Sequence, residues 1–153
     1  MALRIWLLLK ACRLRTEQQC RVLDYGCGPG SYSIAAAEIV GASGKVYALD
    51  IHPLAAQQVR KKASKKGLKN IQTIRSDSTT GLANNSVDVV LLYYVFHDLD
   101  NPERVLKEIH RVLKPNGLLS FADFRANISK IFDTGLFTLV SKNKKTYSFE
   151  KAA

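Results

Sequence analysis

Three glycines at alternate positions follow an acidic residue at the end of a short apolar run. The acid is Asp24, and the glycines are Gly26, Gly28 and Gly30. Because glycine has no Cβ, such a turn can adopt positive φ angles and bring its backbone close to a ligand. The Ala-rich segment 31–40 predicts a helix directly after the turn, and the N–H groups of its first turn attract an anion. The pattern predicts a strand, a glycine turn and a helix that bind a nucleotide-like ligand.

The spacing of these glycines differs from that of the dinucleotide-binding fingerprint. The pattern G-x-G-x-x-G would require a glycine at position 31, where this chain has Ser31. A nicotinamide dinucleotide is therefore not the expected ligand.

Acidic residues end the first three predicted strands. They are Asp24, Asp50 and Asp77. Each of them alone could be a helix cap or a loop residue. In a doubly wound sheet, however, ligands lie over the carboxyl ends of the strands, and an acid about twenty residues after the glycines accepts hydrogen bonds from ribose hydroxyls. Three acids at successive strand ends therefore indicate a ligand site, in which Asp50 contacts the ribose.

The segment Asp24–Gly30, read as D-x-G-x-G-x-G, resembles the first motif of class I S-adenosylmethionine-dependent methyltransferases. The segment Asn101–Gly117 is similar to the corresponding part of small-molecule methyltransferases, including those of ubiquinone and menaquinone biosynthesis and the type 11 group. The resemblance extends from about Arg21 to Glu150. It implies that S-adenosylmethionine is the cofactor and S-adenosylhomocysteine the product.

The resemblance also implies roles for individual residues. The helix start would hold the cofactor's carboxylate, Asp24 would face its ammonium or sulfonium, Ile51 would lie on the adenine face, and Asp77 would accept from the adenine amino group. The complete expected cofactor set is Asp24, Gly26, Cys27, Gly28, Gly30, Asp50, Ile51, Ser76, Asp77, Ser78 and Tyr93.

The end of the fourth predicted strand should lie near the transferred methyl group, which makes Tyr94, His97 and Asp98 the catalytic candidates. Methyl transfer from a sulfonium mainly needs in-line placement and exclusion of water, and a base is needed only for hydroxyl or carbon acids. His97 is either such a base or a residue that hydrogen-bonds backbone or lines the cofactor edge. No histidine or carboxylate pair has metal-ligand spacing, so no metal is expected.

Alternating strand and helix signals predict the elements that position these residues. Predicted strands are Arg21–Tyr25, Lys45–Asp50, Ile71–Arg75, Val87–Tyr94 and Leu118–Phe124; predicted helices are Ser31–Val40, Pro53–Lys66 and Pro102–Leu113; Leu136–Lys142 and Lys145–Phe149 form a predicted hairpin. The segment Lys114–Gly117 is a predicted turn. We expect an α/β, Rossmann-like, doubly wound fold: a mainly parallel seven-stranded sheet with a C-terminal antiparallel hairpin and helices on both faces.

The chain has 153 residues, enough for one domain at 21–153 preceded by an amphipathic helix within 1–20. That helix, from Ala2 to about Arg15, should pack Leu3, Trp6, Leu7 and Leu14 on the sheet or on a neighbouring subunit. The segments that form a substrate lid in similar enzymes are short here. A second subunit or a large substrate would then cover the site, or the chain binds cofactor without efficient turnover. The apolar helix favours a homodimer.

The net charge and the cysteines limit which partners and which cellular environment are expected. The net charge is +10, with a cationic cluster from Arg60 to Lys69 that would attract RNA or an anionic surface, although such a cluster is usually a solvated helix face. The three cysteines lack C-x-x-C spacing, so neither a disulfide framework nor a zinc site is expected, and a reducing cytoplasm fits. The apolar run 5–9 is short and interrupted by Lys10, so no membrane association is expected.

The function expected from these observations is methyl transfer from S-adenosylmethionine to a small molecule by in-line displacement. Two alternatives stay open. The net charge suggests an RNA-directed methyltransferase, and the short lid segments suggest a non-catalytic cofactor-binding module. The Asn-Pro-Pro-Tyr signature of amino-directed DNA methyltransferases does not occur.

Overall fold

The computed structural model describes residues 2–153. They form two compact units, one ending at Asp77 and the other extending from Ser78 to Ala153. Seven strands contribute to a mixed, mainly parallel sheet, three from the first unit and four from the second. The predicted Rossmann-like α/β fold class is confirmed. Within residues 2–153, no helix is both long and apolar enough to cross a membrane.

The first unit alternates helices and parallel strands. Its elements are α1 (Ala2–Arg15), β1 (Arg21–Tyr25), α2 (Ser31–Val40), β2 (Lys45–Asp50), α3 (Pro53–Lys65) and β3 (Ile71–Arg75). The strands lie in the order β3-β2-β1, and each neighbouring pair is parallel. Val22, Val46 and Val40 are fully buried in its core. The predicted strand bounds are correct here, and α3 ends one residue earlier than predicted.

The second unit joins a parallel strand pair to an antiparallel hairpin. Its elements are β4 (Val87–Tyr93), a short 3₁₀ helix (Phe96–Asp98), α4 (Pro102–Val112), β5 (Leu113–Ala122), α5 (Ser129–Phe132), β6 (Phe137–Lys142) and β7 (Tyr147–Lys151). The strand order is β4-β5-β7-β6, with β4 parallel to β5 and β7 antiparallel to both of its neighbours. All of β4 is buried, as expected for a strand covered on both faces.

The predicted turn at Lys114–Gly117 is part of β5, so the predicted start of this strand at Leu118 was wrong. Leu113 already pairs with Val87, and pairing resumes at Leu118 opposite Val89. The intervening residues form an irregularity in the ladder, which the Lys114 Nζ–Asp88 Oδ1 contact of 2.9 Å holds against β4. A Pro-Asn-Gly sequence therefore bends this strand without ending it.

The buried face of α1 is not the one predicted from its sequence. Ile5, Leu9 and Cys12 are buried, whereas the four residues expected to pack on the sheet or on a neighbouring subunit are exposed, so packing on the sheet is wrong for them and packing on a neighbouring subunit stays a prediction. These are Leu3, Trp6, Leu7 and Leu14. Apolar residues lie on both sides of this helix, so periodicity alone did not identify the inner side.

A disulfide joins Cys12 to Cys20, so the expectation of unpaired cysteines was wrong for these two. Left-handed backbone at Glu17 and Gln18 reverses the chain after α1 and brings the two Cα atoms to 5.7 Å. The pairing depends on this reversal rather than on a recognisable cysteine spacing. Cys27 is a free, buried cysteine.

Candidate functional site

The glycine turn is attached to the end of β2 by backbone hydrogen bonds. The N–H groups of Gly26 and Cys27 both donate to the Leu49 carbonyl, at 2.8 and 2.9 Å. The next donor, Gly28 N–H, reaches Asp50 Oδ2 at 2.9 Å. The other carboxylate oxygen of Asp50 accepts from His52 N–H at 2.9 Å. The predicted ribose-binding acid therefore lies directly against the turn that it was expected to serve.

Two of the glycines are required for different reasons. Gly28 has φ +51°, and a Cβ built there would meet no atom within 4 Å, so the space beside the turn is open. Gly30 has φ +89°, and a Cβ there would lie 2.6 Å from Cγ2 of Val59 on α3. Gly28 thus leaves room for a ligand, whereas Gly30 lets α3 pack against the turn.

The start of α2 presents backbone donors at the same turn. Gly30 is the N-cap residue, and the cap makes no side-chain hydrogen bond. The first-turn N–H groups have no intrahelical acceptor. That of Ser33 donates to Asp24, and the helix start as a whole, with its dipole, favours an anion such as a carboxylate. Lys62 on α3 donates from Nζ to the Pro29 carbonyl at 2.7 Å and so fixes the outer side of the turn.

Asp24 lies behind the turn and only 2% of it is exposed. Its Oδ2 accepts a 2.6 Å hydrogen bond from Ser33 Oγ on α2. Burial raises the pKa of this carboxyl to about 6, the nearby Asp50 charge adds to the rise, and the hydrogen bond from Ser33 opposes it. Asp24 therefore links β1 to α2 through Ser33, and its contact with the cationic group of the cofactor stays a prediction.

The remaining first-unit candidates lie around this turn. Tyr25 Oη donates to the Asp77 carbonyl at 2.9 Å, and Ser76 N–H donates to the Asp50 carbonyl at 3.2 Å. Ile51 is 64% exposed, as a residue that packs on a flat ring would be. Cys27 is buried, and burial raises the pKa of its thiol to about 12, so it packs as a neutral side chain.

The second unit holds a histidine–carboxylate pair. His97 Nδ1 lies 2.7 Å from Asp123 Oδ2, which also accepts from His97 N–H at 3.0 Å. The Asp123 side chain is fully buried, and its Oδ1 accepts from Arg125 N–H at 3.0 Å. His97 Nε2 faces Asp98 Oδ2 at 3.2 Å, and Asp98 is 76% exposed.

The ionised state of Asp123 fixes which nitrogen of His97 carries the proton. Burial acts to raise the pKa of this carboxyl, but the hydrogen bonds from His97 and Arg125 outweigh it and hold the pKa below its ordinary value. Because an ionised carboxylate only accepts, His97 Nδ1 must donate. In neutral His97 the lone pair is then on Nε2, which is the form that a general base requires.

Tyr94 lies beside this pair in a strained backbone conformation. It is the first residue after β4, where its φ is +57° and its N–H donates to the Ala122 carbonyl at 2.7 Å. The predicted strand end at Tyr94 was thus one residue too long. Its ring centroid is 6.1 Å from that of Phe124. Tyr93 and Ser78 are buried, and Tyr93 Oη contacts Ser120 Oγ at 2.6 Å.

A cavity of about 460 Å³ adjoins Tyr94 in the second unit. Aromatic rings, two lysines and the Asp123 loop line it: Tyr94, Phe121, Asp123, Phe124, Ala126, Ile128, Lys144, Lys145 and Tyr147. Its size suits a drug-sized molecule.

Sequence reasoning missed Asp123 as the partner of His97. Asp123 directly follows the end of β5, so the criterion used for the first three strands, an acid at the carboxyl end, would have found it. The predicted strand extended through Phe124 and concealed that position. Ser33 was also missed, because a serine inside a helix gives no sign that it supports an acid on the preceding strand.

Comparisons with known proteins agree with this geometry. A family model described as "Methyltransferase domain" matches residues 16–153. The chain is 34% identical over 107 residues to the demethylmenaquinone methyltransferase of Geobacillus stearothermophilus, covering 69% of this chain and 46% of that protein. It is 35% identical over 118 residues to the aklanonic acid methyltransferase DauC of Streptomyces sp. strain C5, covering 76% and 51%. The chain thus spans about half the length of these curated relatives.

The fold is shared with solved structures. A SAM dependent methyltransferase from Aquifex aeolicus aligns with a TM-score of 0.74 and 24% identity, covering 99% of this chain and 97% of that one. At this identity the likeness establishes the Rossmann-like fold alone.

Proposed function

Because the chain belongs to the methyltransferase-domain family, we propose that it binds S-adenosylmethionine and transfers the methyl group to a small-molecule acceptor. The observation that carries this proposal is the geometry of the glycine turn. Asp50 Oδ2 accepts from Gly28 N–H at 2.9 Å, and the space beside Gly28 is open. S-adenosylmethionine is a nucleoside with a charged amino-acid tail. Asp50 suits its nucleoside part, and the helix start at the same turn suits the carboxylate of its tail.

The residues around the turn fit the cofactor group by group. The first-turn N–H groups of α2 would hold its carboxylate, and the Asp50 carboxylate has further lone pairs for ribose hydroxyls. Exposed Ile51 offers an apolar surface for the adenine, beside the Ser76–Asp77 segment. When bound, the cofactor supplies a methyl group on a sulfonium, an electrophile that needs no metal to react.

We infer that His97 is the general base and Asp123 its positioning residue. Asp123 holds the imidazole through Nδ1, so Nε2 is the atom that accepts the acceptor's proton as its nucleophile attacks the methyl carbon. Asp98 Oδ2 lies 3.2 Å from Nε2, a contact that is favourable only while Nε2 carries a proton. Because Asp98 is mostly exposed, it can turn into solvent when Nε2 is deprotonated, and an incoming acceptor then takes its place at little cost. An acceptor with a hydroxyl or an acidic C–H bond would use this base.

The aromatic and cationic cavity beside Tyr94 favours a small acceptor. About 460 Å³ accommodates a ring system, and the rings of Tyr94, Phe124 and Tyr147 offer flat apolar contacts. The names of the relatives, which refer to demethylmenaquinone and aklanonic acid, are compatible with such an acceptor.

An RNA acceptor has one supporting observation, the net charge of +10. Several side chains of the cationic cluster from Arg60 to Lys69 are nevertheless engaged within the protein: Arg60 with Thr73, Lys62 with Pro29 and Lys66 with Glu38. These contacts favour the interpretation of the cluster as a helix face that packs locally. The small-molecule acceptor is therefore the better-supported proposal.

Two further expectations stay predictions. The cytoplasmic location was inferred from free thiols, and the Cys12–Cys20 disulfide removes that support. A homodimer through α1 was inferred from the apolar residues of that helix and stays a prediction.

The proposal is tested by calorimetric titration with S-adenosylhomocysteine, with NAD as the comparison ligand. We expect saturable binding of the first ligand alone. Asp50→Ala should weaken that binding by about 1–3 kcal/mol, because charge-assisted hydrogen bonds to the ribose are lost. Asp50→Asn should retain part of the affinity, since the amide oxygen still accepts.

The matched control is Asp100→Ala, which removes an exposed acid that is not at the turn. It should leave the affinity unchanged. Equal affinity in Asp50→Ala and the parent chain would remove Asp50 from the site. Binding without methyl transfer to any tested acceptor would favour the non-catalytic module instead.

A further inference from the structure

The outward side of α1 carries a group of exposed apolar residues, here called the outer face. Leu3, Trp6, Leu7 and Leu14 are exposed by 68%, 44%, 53% and 78%. Leu7 follows Leu3 by one helical turn and Leu14 follows Leu7 by two, so these leucines form one stripe. Such exposure in large apolar side chains on one face marks a surface that contacts a partner.

The opposite side of α1 already has its packing partner. Ile5, Leu9 and Cys12 are buried in the first unit, and Arg13 turns inward to donate to the Ile39 carbonyl at 3.3 Å. The inner apolar side of α1 is thus covered, whereas the leucine stripe lies on a second side of the helix. The residues of the outer face are therefore not needed to hold α1 on the first unit.

The outer face is flanked by cations and lacks acids. Arg4 and Arg15 lie along one border of the leucine stripe, and Lys10 lies along the other with Nζ 5.4 Å from the Trp6 ring. Within residues 2–153, none of these three cations forms an ion pair with an acidic side chain. The first acid in the chain is Glu17, beyond the end of the helix.

This charge distribution decides between the candidate occupants. A second copy that bound through the same face would place two cationic helices side by side without an acid on either, and their like charges would repel. An anionic lipid surface satisfies both features at once, because leucines and a tryptophan enter the acyl boundary while arginines and lysines stay at the phosphates. We propose that the outer face of α1 docks this protein on anionic bilayers.

The docking is peripheral. A helix of 14 residues is about 21 Å long, which is shorter than the roughly 30 Å hydrocarbon core. The helix therefore lies parallel to the surface, with its inner side still packed on the protein. This inference goes beyond methyl transfer and does not depend on it, and it departs from the expectation of no membrane association.

The single tryptophan of the chain, Trp6, makes the test direct. The 153-residue protein is mixed with vesicles of phosphatidylcholine alone or of equal parts phosphatidylcholine and phosphatidylglycerol, without reductant so that the Cys12–Cys20 bond stays intact. Cosedimentation measures binding and Trp6 emission reports its environment. We expect binding to the anionic vesicles only, with emission shifted to shorter wavelength.

Two double variants at exposed or half-buried positions of α1 separate the contributions of its cations and its leucines. Arg4→Gln with Lys10→Gln should weaken partitioning about thirtyfold, from the loss of two cations near the lipid surface. Leu3→Ser with Leu7→Ser should abolish the emission shift. The matched control, Lys61→Gln with Lys65→Gln, removes the same charge from α3 and should weaken partitioning far less.

Three results would overturn the proposal. The first is no cosedimentation with either vesicle. The second is binding that the α3 variant abolishes while the α1 variants leave it intact. The third is a dimer in analytical ultracentrifugation that Leu7→Glu dissociates, because the outer face would then be the interface between two copies.

Discussion

At the scale of single residues, Asp123 determines what His97 can do. Its carboxylate accepts from His97 Nδ1 and so holds the ring in the form with a free electron pair on Nε2. In Asp123→Ala we expect the neutral ring to shift towards the form protonated on Nε2, and methyl transfer to fall about a hundredfold or more. Long-range ¹H–¹⁵N NMR of the imidazole reports the protonated nitrogen without an acceptor being known.

Asp123→Asn is the matched variant, because its amide oxygen still accepts from Nδ1–H. It should preserve the protonated nitrogen while removing the charge. S-adenosylhomocysteine affinity should stay unchanged in both variants, so a loss confined to the turnover step identifies a positioning role. An unaltered NMR pattern in Asp123→Ala would mean that another group orients His97.

Asp24 makes the stability of the protein depend on pH. The pKa of this carboxyl rises from 3.8 to about 6 on folding. The folded state therefore binds more protons than the unfolded state between these values, and the free energy of unfolding falls as the pH rises from about 4 to about 6. Asp24→Asn keeps an acceptor for Ser33 but does not ionise. Its advantage over the parent should grow across that range, towards about 3 kcal/mol.

Urea unfolding at a series of pH values measures this difference. The comparison with the parent at each pH removes the contribution of the other titrating groups. Parallel curves for parent and variant would show that the Asp24 carboxyl has an ordinary pKa in the folded protein.

At the scale of elements, the turn between β1 and α2 has one glycine beside open space and another packed against α3. Gly28→Ala should cost about 1 kcal/mol of stability, from its φ of +51° alone, but should greatly reduce S-adenosylhomocysteine affinity because the Cβ enters the open space. Gly30→Ala should cost about 2–3 kcal/mol more than that, because its Cβ meets Val59 at 2.6 Å. Urea unfolding and calorimetry on both variants check the contrast. Unchanged affinity in Gly28→Ala would place the ligand elsewhere.

The sequence predicted the first unit better than the second. The strands β1, β2 and β3 are short apolar runs whose ends coincide with glycines and acids, so local signals defined their bounds. β5 was misread because Pro115 and Gly117 signal a turn, whereas pairing with β4 carries the strand past them. The pairing of neighbouring parallel strands is a tertiary effect that a local pattern does not contain.

The same distinction applies to the candidate site. The glycine turn and Asp50 follow the carboxyl ends of adjacent strands, so the sequence predicted that they lie together, and their role in binding stays a prediction. His97 and Asp123 are 26 positions apart, and their 2.7 Å contact depends on how β4 and β5 end side by side. The Cys12–Cys20 bond likewise depends on the left-handed backbone at Glu17 and Gln18.

At the scale of the whole molecule, the net charge of +10 is spread over surfaces with different roles. Lys62 on α3 and Lys66 just after it make contacts within the protein. Lys144 and Lys145 line the cavity beside Tyr94, and the cations of α1 border an apolar stripe. The chain is therefore better described by three local cationic environments than by one binding surface for a polyanion.

The left-handed backbone of Tyr94 has a consequence for laboratory evolution. A non-glycine residue at φ +57° costs of the order of 1 kcal/mol, which glycine would relieve. Selection for heat resistance alone should therefore replace Tyr94 with glycine, and selection for turnover should retain the ring that lines the cavity. A library of variants selected separately for heat resistance and for turnover should therefore be enriched in glycine at position 94 under the first selection and in tyrosine under the second. The tyrosine of this chain would then reflect selection for turnover.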